Sequence, residues 1–351
     1  MSEDLDFILR GGVVVTAEGT RRADIAIGGG RIAGLLEPGM PAKARREIAV
    51  PDRYLLPGLV DAHVHLREPG MTHKEDFASG TRAAIAGGVT TVLVMPTDEP
   101  WTSTVHLFRE KQALASGRIY ADVGLQVAVG RDFAESRKLR ALGAVSFELF
   151  TADVPTPFLH DSIADLVRAM QAVAEVGGLA AVSPGDQSIL AGTAASRGEA
   201  EGSIADFLAS RPPLAEASGI ARIILAAAST GARVHVRQSN SALGIATFRR
   251  LKSLADVSIE TTPQSLLLTA ADYERLGPLL KASPPLRSPA DVAALQEALV
   301  DGTIDIVATD HAPHSMAEKL APQADFAAIP GGMPGLQTLL PVMLHLVDRG
   351  V

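Results

Sequence analysis

No cysteine occurs in the 351 residues, which excludes a disulfide framework, a thiolate metal ligand and a cysteine nucleophile. Any metal would have to be held by histidine and carboxylate. Positive charge is also in short supply, 32 Lys and Arg against 40 Asp and Glu for a net charge of −8. Nucleic acid and anionic lipid both reward basic patches, so neither is expected as the main partner. No apolar run approaches the roughly 18 residues that a membrane span needs. The start, Met1-Ser2-Glu3-Asp4, is acidic and unlike a secretory leader, so a cytoplasmic location is expected. Repeats, low-complexity tracts and charge blocks that would mark a linker are missing as well.

What is present describes a globular chain, 47% hydrophobic and 21% charged, long enough for one α/β barrel with a small appendage. Residues 1–57 read as short strands: Asp6 to Val15, then Asp24-Ile25-Ala26-Ile27, a Gly28-Gly29-Gly30 turn and Arg31-Ile32-Ala33. From Leu59 the pattern becomes short apolar strands alternating with Ala-rich helical stretches, as in a parallel βα sheet. The strands are Val60–His65, Thr90–Met95, Asp122–Val129, Ala144–Phe150, Leu179–Ser183, Arg233–Gln238, Val257–Thr262 and Asp305–Asp310. Eight is the number that closes a barrel, so residues 58–351 are expected to form a (β/α)8 TIM barrel. Helical spacing marks Ser79–Ala86, Ser162–Val176, Ile204–Ala209, Ala215–Thr230, Leu243–Leu254 and Asp291–Val300. After the helix-like run Leu336 to Val347 no late strands follow, so the appendage is expected to lack a C-terminal part.

The stretch Pro57 to Gly70 organises the chain. Alternate residues of a strand share a face, so His63 and His65 point the same way, about 6.6 Å apart along the backbone and able to share one ion. Active sites of α/β barrels lie at the C-terminal strand ends. Strand four ends Phe147-Glu148-Leu149-Phe150, where a carboxylate among large apolar neighbours requires a cation or hydrogen-bond partner. Its alternatives are metal ligation and a salt bridge inside the barrel. Strand eight ends Thr309-Asp310-His311, placing Asp310 at the same rim, where it serves a metal site or caps a following helix. Together His63, His65, Glu148 and Asp310 make a plausible four-ligand site for zinc or another divalent ion, with Asp310 passing a proton from water to a leaving nitrogen. Arg67 is placed to clamp a carboxylate or to pair with Glu68 or Glu75. His311 and His314 are candidate carboxylate binders or else surface histidines, His235 reads as structural, and His73, His106, His160 and His345 have no evident partner. Gly331-Gly332-Met333-Pro334-Gly335 is a turn or a loop closing on a ligand.

These segments resemble the dihydroorotases of the amidohydrolase superfamily. The resemblance rests on Pro57 to Gly70, His73-Lys74-Glu75-Asp76, Gly87-Gly88-Val89-Thr90-Thr91, Met95-Pro96, Pro284-Pro285-Leu286-Arg287, Thr309 to His314 with Glu318-Lys319, and Gly332-Met333-Pro334-Gly335. It implies a barrel with a β-sandwich built from the chain ends, of which residues 1–57 would be part. It also implies hydrolysis or closure of a cyclic amide at one or two zinc ions, in pyrimidine biosynthesis for dihydroorotate itself. On that likeness His63 and His65 match the first metal pair, Asp310 the catalytic aspartate and Arg67 the holder of the substrate carboxylate.

The chain departs from the family pattern at named positions. Glu148 stands where a carboxylated lysine bridges two metals, and the fifth- and sixth-strand histidines are replaced around Val182-Ser183 and His235 to Gln238. One zinc is therefore expected rather than two. Thr97 and Ser283 replace asparagines of the substrate shell, leaving Arg67 and the His311–His314 loop as carboxylate binders. The expected substrate is a small cyclic amide carrying a carboxylate, bound through Arg67, Thr97 and His314, and the expected assembly is a homo-oligomer. Two further possibilities are a hydrolase of altered specificity and a catalytically silent homologue that partners aspartate transcarbamoylase.

Overall fold

The structure, a computed structural model, describes residues 5–197, 202–321 and 325–351. The acidic start Met1-Ser2-Glu3-Asp4 lies outside them. The chain divides into two compact units, Met1–Leu59 and Val60–Val351, two residues from the boundary that the sequence pattern suggests.

In the first unit a single five-stranded sheet runs in the order Arg31–Leu36, Gly19–Gly28, Leu5–Thr16, Ala44–Ala49, with Tyr54–Leu55 also pairing with Leu5–Thr16. Gly29 and Gly30, at φ 57° and 71°, make the two-residue turn into Arg31, the left-handed pair that matches the twist of a hairpin. Val14, Ala23 and Ile25 form its apolar core. Strand Ala44–Ala49, Ala-Arg-Arg-Glu-Ile-Ala, is too charged to read as a strand in advance. It pairs in parallel with Leu5–Thr16, and backbone pairing rather than apolar burial defines it.

The second unit alternates strands and helices as the sequence implies. Three strands, Leu59–Val64, Val89–Val94 and Asp122–Leu125, form one sheet in chain order. Six more form the second: Val127–Ala128, Phe147–Phe150, Leu179–Ser183, Arg233–Val236, Val257–Thr261 and Ile306–Val307, with every described pairing parallel. The stretch expected as one strand, Asp122–Val129, is thus split at Gln126, its two halves serving different neighbours. Beyond Ile306–Val307, Val64 forms a parallel bridge with His311, and the His65 amide donates to the His311 carbonyl at 2.7 Å. The strand expected over Asp305–Asp310 keeps regular geometry only at Ile306–Val307.

Helix faces supply the packing. Ile163–Glu175, capped by Ser162, buries Leu166, Ala169, Met170 and Val173, the i, i+3, i+4, i+7 stripe of an amphipathic helix. Pro213–Thr230 buries Ala217, Ile220, Ile223, Ile224 and Ala227. Helix Val105–Ala115 is polar enough to escape a reading by periodicity. It nevertheless buries Phe108 and Lys111, whose ammonium meets Asp98 and the Met95 carbonyl and so ties down the segment carrying Thr97. No helix among the described residues is long and apolar enough to cross a membrane.

Candidate metal centre

His63 and His65 flank the last residue of strand Leu59–Val64, so both rings turn to one face, with centroids 5.4 Å apart. Asp310 reaches the same point from the segment after Ile306–Val307. Its Oδ1 lies 3.3 Å from Nε2 of His63 and 3.2 Å from Nε2 of His65. The ligand atoms of these three side chains all lie within 4.8 Å of one another. Two imidazole nitrogens and a carboxylate oxygen are a donor set suited to zinc or a similar divalent ion, with room left for a water or substrate atom.

Each imidazole is held through its other nitrogen. Nδ1 of His63 is 2.6 Å from Oε1 of Glu260, and Nδ1 of His65 is 2.8 Å from Oγ1 of Thr97. An ionised carboxylate only accepts, so the His63 proton belongs on Nδ1 and Nε2 keeps its lone pair for an ion. Burial alone would push the His63 imidazolium down, but Asp310 and Glu260 outweigh it and hold the pKa above its ordinary value. Burial, helped by Arg67 and His63, lowers His65 to about 4. Burial works to raise the Asp310 carboxyl, yet the two histidines draw it below the usual range, so it is ionised. The buried surroundings hold two guanidinium groups, Arg67 and Arg237, against the acidic Glu148, Glu260 and Asp310.

Glu148, expected as a fourth ligand, does not join this group. Its carboxylate is gripped by the Arg237 guanidinium, Nη2 to Oε1 at 2.8 Å and Nε to Oε2 at 3.2 Å, and accepts from Ser146 Oγ at 2.6 Å. The buried carboxylate found its cation in the protein, the salt-bridge alternative. Arg237 and Glu260 escaped the sequence reading. Glu260 carried the signal that exposed Glu148, a carboxylate inside an apolar strand, Val257–Thr261. His235, read as structural, donates from Nε2 to Glu260 Oε2 at 2.9 Å and so also belongs to the network.

A cavity of about 220 Å³ opens beside the triad, lined by His63, His65, Arg67, Met95, Phe150, Asp153, Ser183, Gln238, Ser283, Asp310 and Gly332 among others. A smaller one of about 90 Å³ shares Ala152, Asp153, Ser183, Gln238 and Ser283 with it. Ser183 and Gln238, which stand where further metal histidines were expected, thus face the cavity as neutral polar groups. Among the described non-glycine residues with positive φ, Arg67 (61°), Asp153 (61°), Gln238 (39°) and Asp310 (48°) all line it, and only Asp52 does not. Such unfavourable backbone concentrates where function overrides local preference.

Of the expected substrate binders, Arg67 lines the cavity. It is 9% exposed, donates to the Pro313 carbonyl at 3.2 Å and meets Nε2 of His314 at 3.1 Å. The pairing with Glu68 or Glu75 does not form, because Glu68 binds Arg118 and Glu75 binds His311. Thr97 is spent on His65. His314 is lowered to about 4 by burial, reinforced by Arg67 and Lys74, and is therefore neutral. His311 turns away, 2.7 Å from Glu75 Oε1 and accepting from the Gly335 amide, so it anchors the glycine loop instead. His160, without an evident partner in the sequence, meets the Val129 carbonyl at 2.9 Å.

Comparison with known proteins places this geometry. Residues 54–329 match the model of the Amidohydrolase family. The chain is 39% identical over 347 residues to an allantoinase of Streptomyces avermitilis, covering 97% of this chain and 76% of the relative. It is 38% identical over 304 residues to a dihydroorotase of Halobacterium salinarum, covering 85% and 68%. Among solved structures, an L-hydantoinase (dihydropyrimidinase) from Arthrobacter aurescens superposes with a TM-score of 0.92 at 31% identity, covering 99% of this chain and 78% of that one.

Proposed function

Because this chain belongs to the amidohydrolase family, we propose that it hydrolyses the C–N bond of a cyclic amide at a centre built from His63, His65 and Asp310. One observation carries the reading: three side chains from two distant segments converge within 4.8 Å, and each imidazole is oriented through its far nitrogen. The three side chains would hold one divalent ion, zinc first among the candidates. When bound, that ion supplies Lewis acidity, acidifying water and polarising a carbonyl. Asp310, ionised and facing both imidazoles, takes the proton of the attacking water and delivers it to the departing nitrogen. Arg67 orients the ring by gripping a charged substituent. Its guanidinium lines the cavity, and no carboxylate of the described residues lies within ion-pair distance of it.

We read the parallel strands as a closed (β/α)8 barrel, supported by the bridge from Val64 to His311 and by the passage through Gln126 between the two sheets. Residues 1–57 would be part of a β-sandwich, although the described part is one sheet. Dihydroorotate, allantoin and hydantoins are the substrates to test, given the names of the relatives. Arg67 favours a carboxylate-bearing ring, while the neutral Ser183, Gln238 and Ser283 suit a ureide. The silent partner of aspartate transcarbamoylase is the weaker reading, since a scaffold has no use for oriented imidazoles in a cavity walled by left-handed residues.

The test is the metal content of protein purified without chelator, together with hydrolysis of those three substrates by wild type and His63→Ala. About one zinc per chain, with turnover of one substrate lost in the variant, supports the reading. Absence of bound metal, or turnover that survives His63→Ala, overturns it.

A further inference from the structure

We infer that the Arg237 guanidinium is a built-in cation that permanently occupies Glu148 and Glu260 and, through Glu260, sets the proton on Nδ1 of His63. This deepens the proposed metal centre and rests on it only for the last link, the ion at Nε2.

The hydrogen-bond inventory leaves little slack. Arg237 is among the largest fully buried side chains, and its five N–H groups have five acceptors. Nε and Nη2 reach Glu148, Nη2 also reaches Gln126 Oε1 at 3.0 Å, and Nη1 reaches Glu260 Oε2 at 3.0 Å and the Ala62 carbonyl at 2.9 Å. Glu260 is equally committed. Oε2 is shared by Arg237 and His235, and Oε1 takes His63 Nδ1 and, at 3.3 Å, the Gln238 amide. A further metal ion seeking Glu148 would have to break a two-point fork, and one seeking Glu260 would have to displace the Nη1 contact on Oε2. Removing the guanidinium would leave two buried carboxylates without the donors that hold them, Glu148 losing its fork and Glu260 the Nη1 contact on Oε2. Without that contact on Oε2, the Glu260 carboxylate would no longer be aimed with Oε1 toward His63 Nδ1, and the imidazole would lose its reason to present a bare Nε2. Lysine cannot substitute fully, since a single ammonium with three donors cannot fork on Glu148 while reaching Glu260 and Ala62.

Arg237 is thus a positioning residue, and its action is readable without turnover. The experiment measures the His63 tautomer by imidazole nitrogen NMR in the metal-free protein at alkaline pH, then zinc affinity and stoichiometry by chelator competition. Wild type, Arg237→Gln and Arg237→Lys are compared. Wild type is expected to carry the proton on Nδ1 of His63 and to bind one zinc. Arg237→Gln should mix the tautomers and weaken zinc about 10- to 100-fold, with Arg237→Lys between the two. A folded Arg237→Gln with wild-type tautomer and zinc affinity overturns the inference. Should Arg237→Gln fail to fold, Glu148→Gln decides: the Nδ1 proton and one zinc should persist, and loss of that zinc would make Glu148 a ligand and refute the assignment. If wild type binds no zinc while its tautomer still depends on Arg237, the inference stands and the metal reading alone falls.

Discussion

The Thr97 hydroxyl lies 2.8 Å from Nδ1 of His65, while Nε2 of the same ring faces Asp310 at 3.2 Å. A residue that looks like part of the substrate shell therefore orients an imidazole. Thr97→Val keeps the shape and removes the hydrogen bond. Zinc affinity should fall about 10-fold or more, while apo-protein stability drops by only about 1 kcal/mol. Chelator competition and thermal unfolding measure the two, and an unchanged affinity would return Thr97 to the substrate shell.

That exchange of roles shows where the sequence stops being legible. Strand positions, helix stripes and the His63–His65 pair follow from periodicity, which is local. Glu148 also announced a need, since a carboxylate in Phe-Glu-Leu-Phe must be partnered, but its partner sits 89 residues away. Nothing local in Val-His-Val-Arg-Gln assigns Arg237 to Glu148 rather than to solvent. His311 was legible as a polar residue at a rim, yet only the fold shows it turned toward Glu75 and the glycine loop. Helix Val105–Ala115 was hidden because its buried face includes Lys111, whose charge reads as exposed until Asp98 is seen beside it.

Gly219 lies inside helix Pro213–Thr230, where replacing glycine with alanine normally stabilises by about 0.5–1 kcal/mol. Here an added Cβ would sit 2.4 Å from the Gly185 nitrogen, backbone that lines the smaller cavity and is itself fixed by Thr151 Oγ1 at 2.8 Å. The steric effect should win, so Gly219→Ala is expected to destabilise by about 1–3 kcal/mol in denaturant unfolding. A stabilised variant would show that the Pro184–Gly185 turn yields freely.

Acid stability should report Asp186, which precedes helix Gln187–Arg197. Burial raises its pKa, but Ser188, Ser218, the Ile189 amide and Arg222 outweigh it and bring the pKa to about 2, against 3.8 ordinarily. Because the unfolded chain takes up the proton first, this contribution is full above pH 3.8 and vanishes as pH falls to 2. The stability gap between wild type and Asp186→Asn should therefore shrink across that window in unfolding curves taken at stepped pH. A gap that stays constant would mean that Asp186 stabilises by hydrogen bonding that does not depend on its charge.

Arg67 offers the sharpest separation between substrates. Its guanidinium has a fork's worth of donors, of which Nε is committed to the Pro313 carbonyl and Nη2 contacts a neutral His314. If a substrate carboxylate docks there, Arg67→Lys keeps the charge but loses the bidentate geometry, a change of about 1.4 kcal/mol or tenfold in affinity. KM for dihydroorotate should then rise about tenfold with kcat nearly unchanged, the signature of binding lost equally in ground and transition states. For a ring without a carboxylate, such as allantoin or an unsubstituted hydantoin, the same variant should leave KM within about twofold, because no fork is engaged. Equal losses on both kinds of ring would mean that Arg67 acts by holding the Pro313–His314 loop, and the carboxylate role would have to be abandoned.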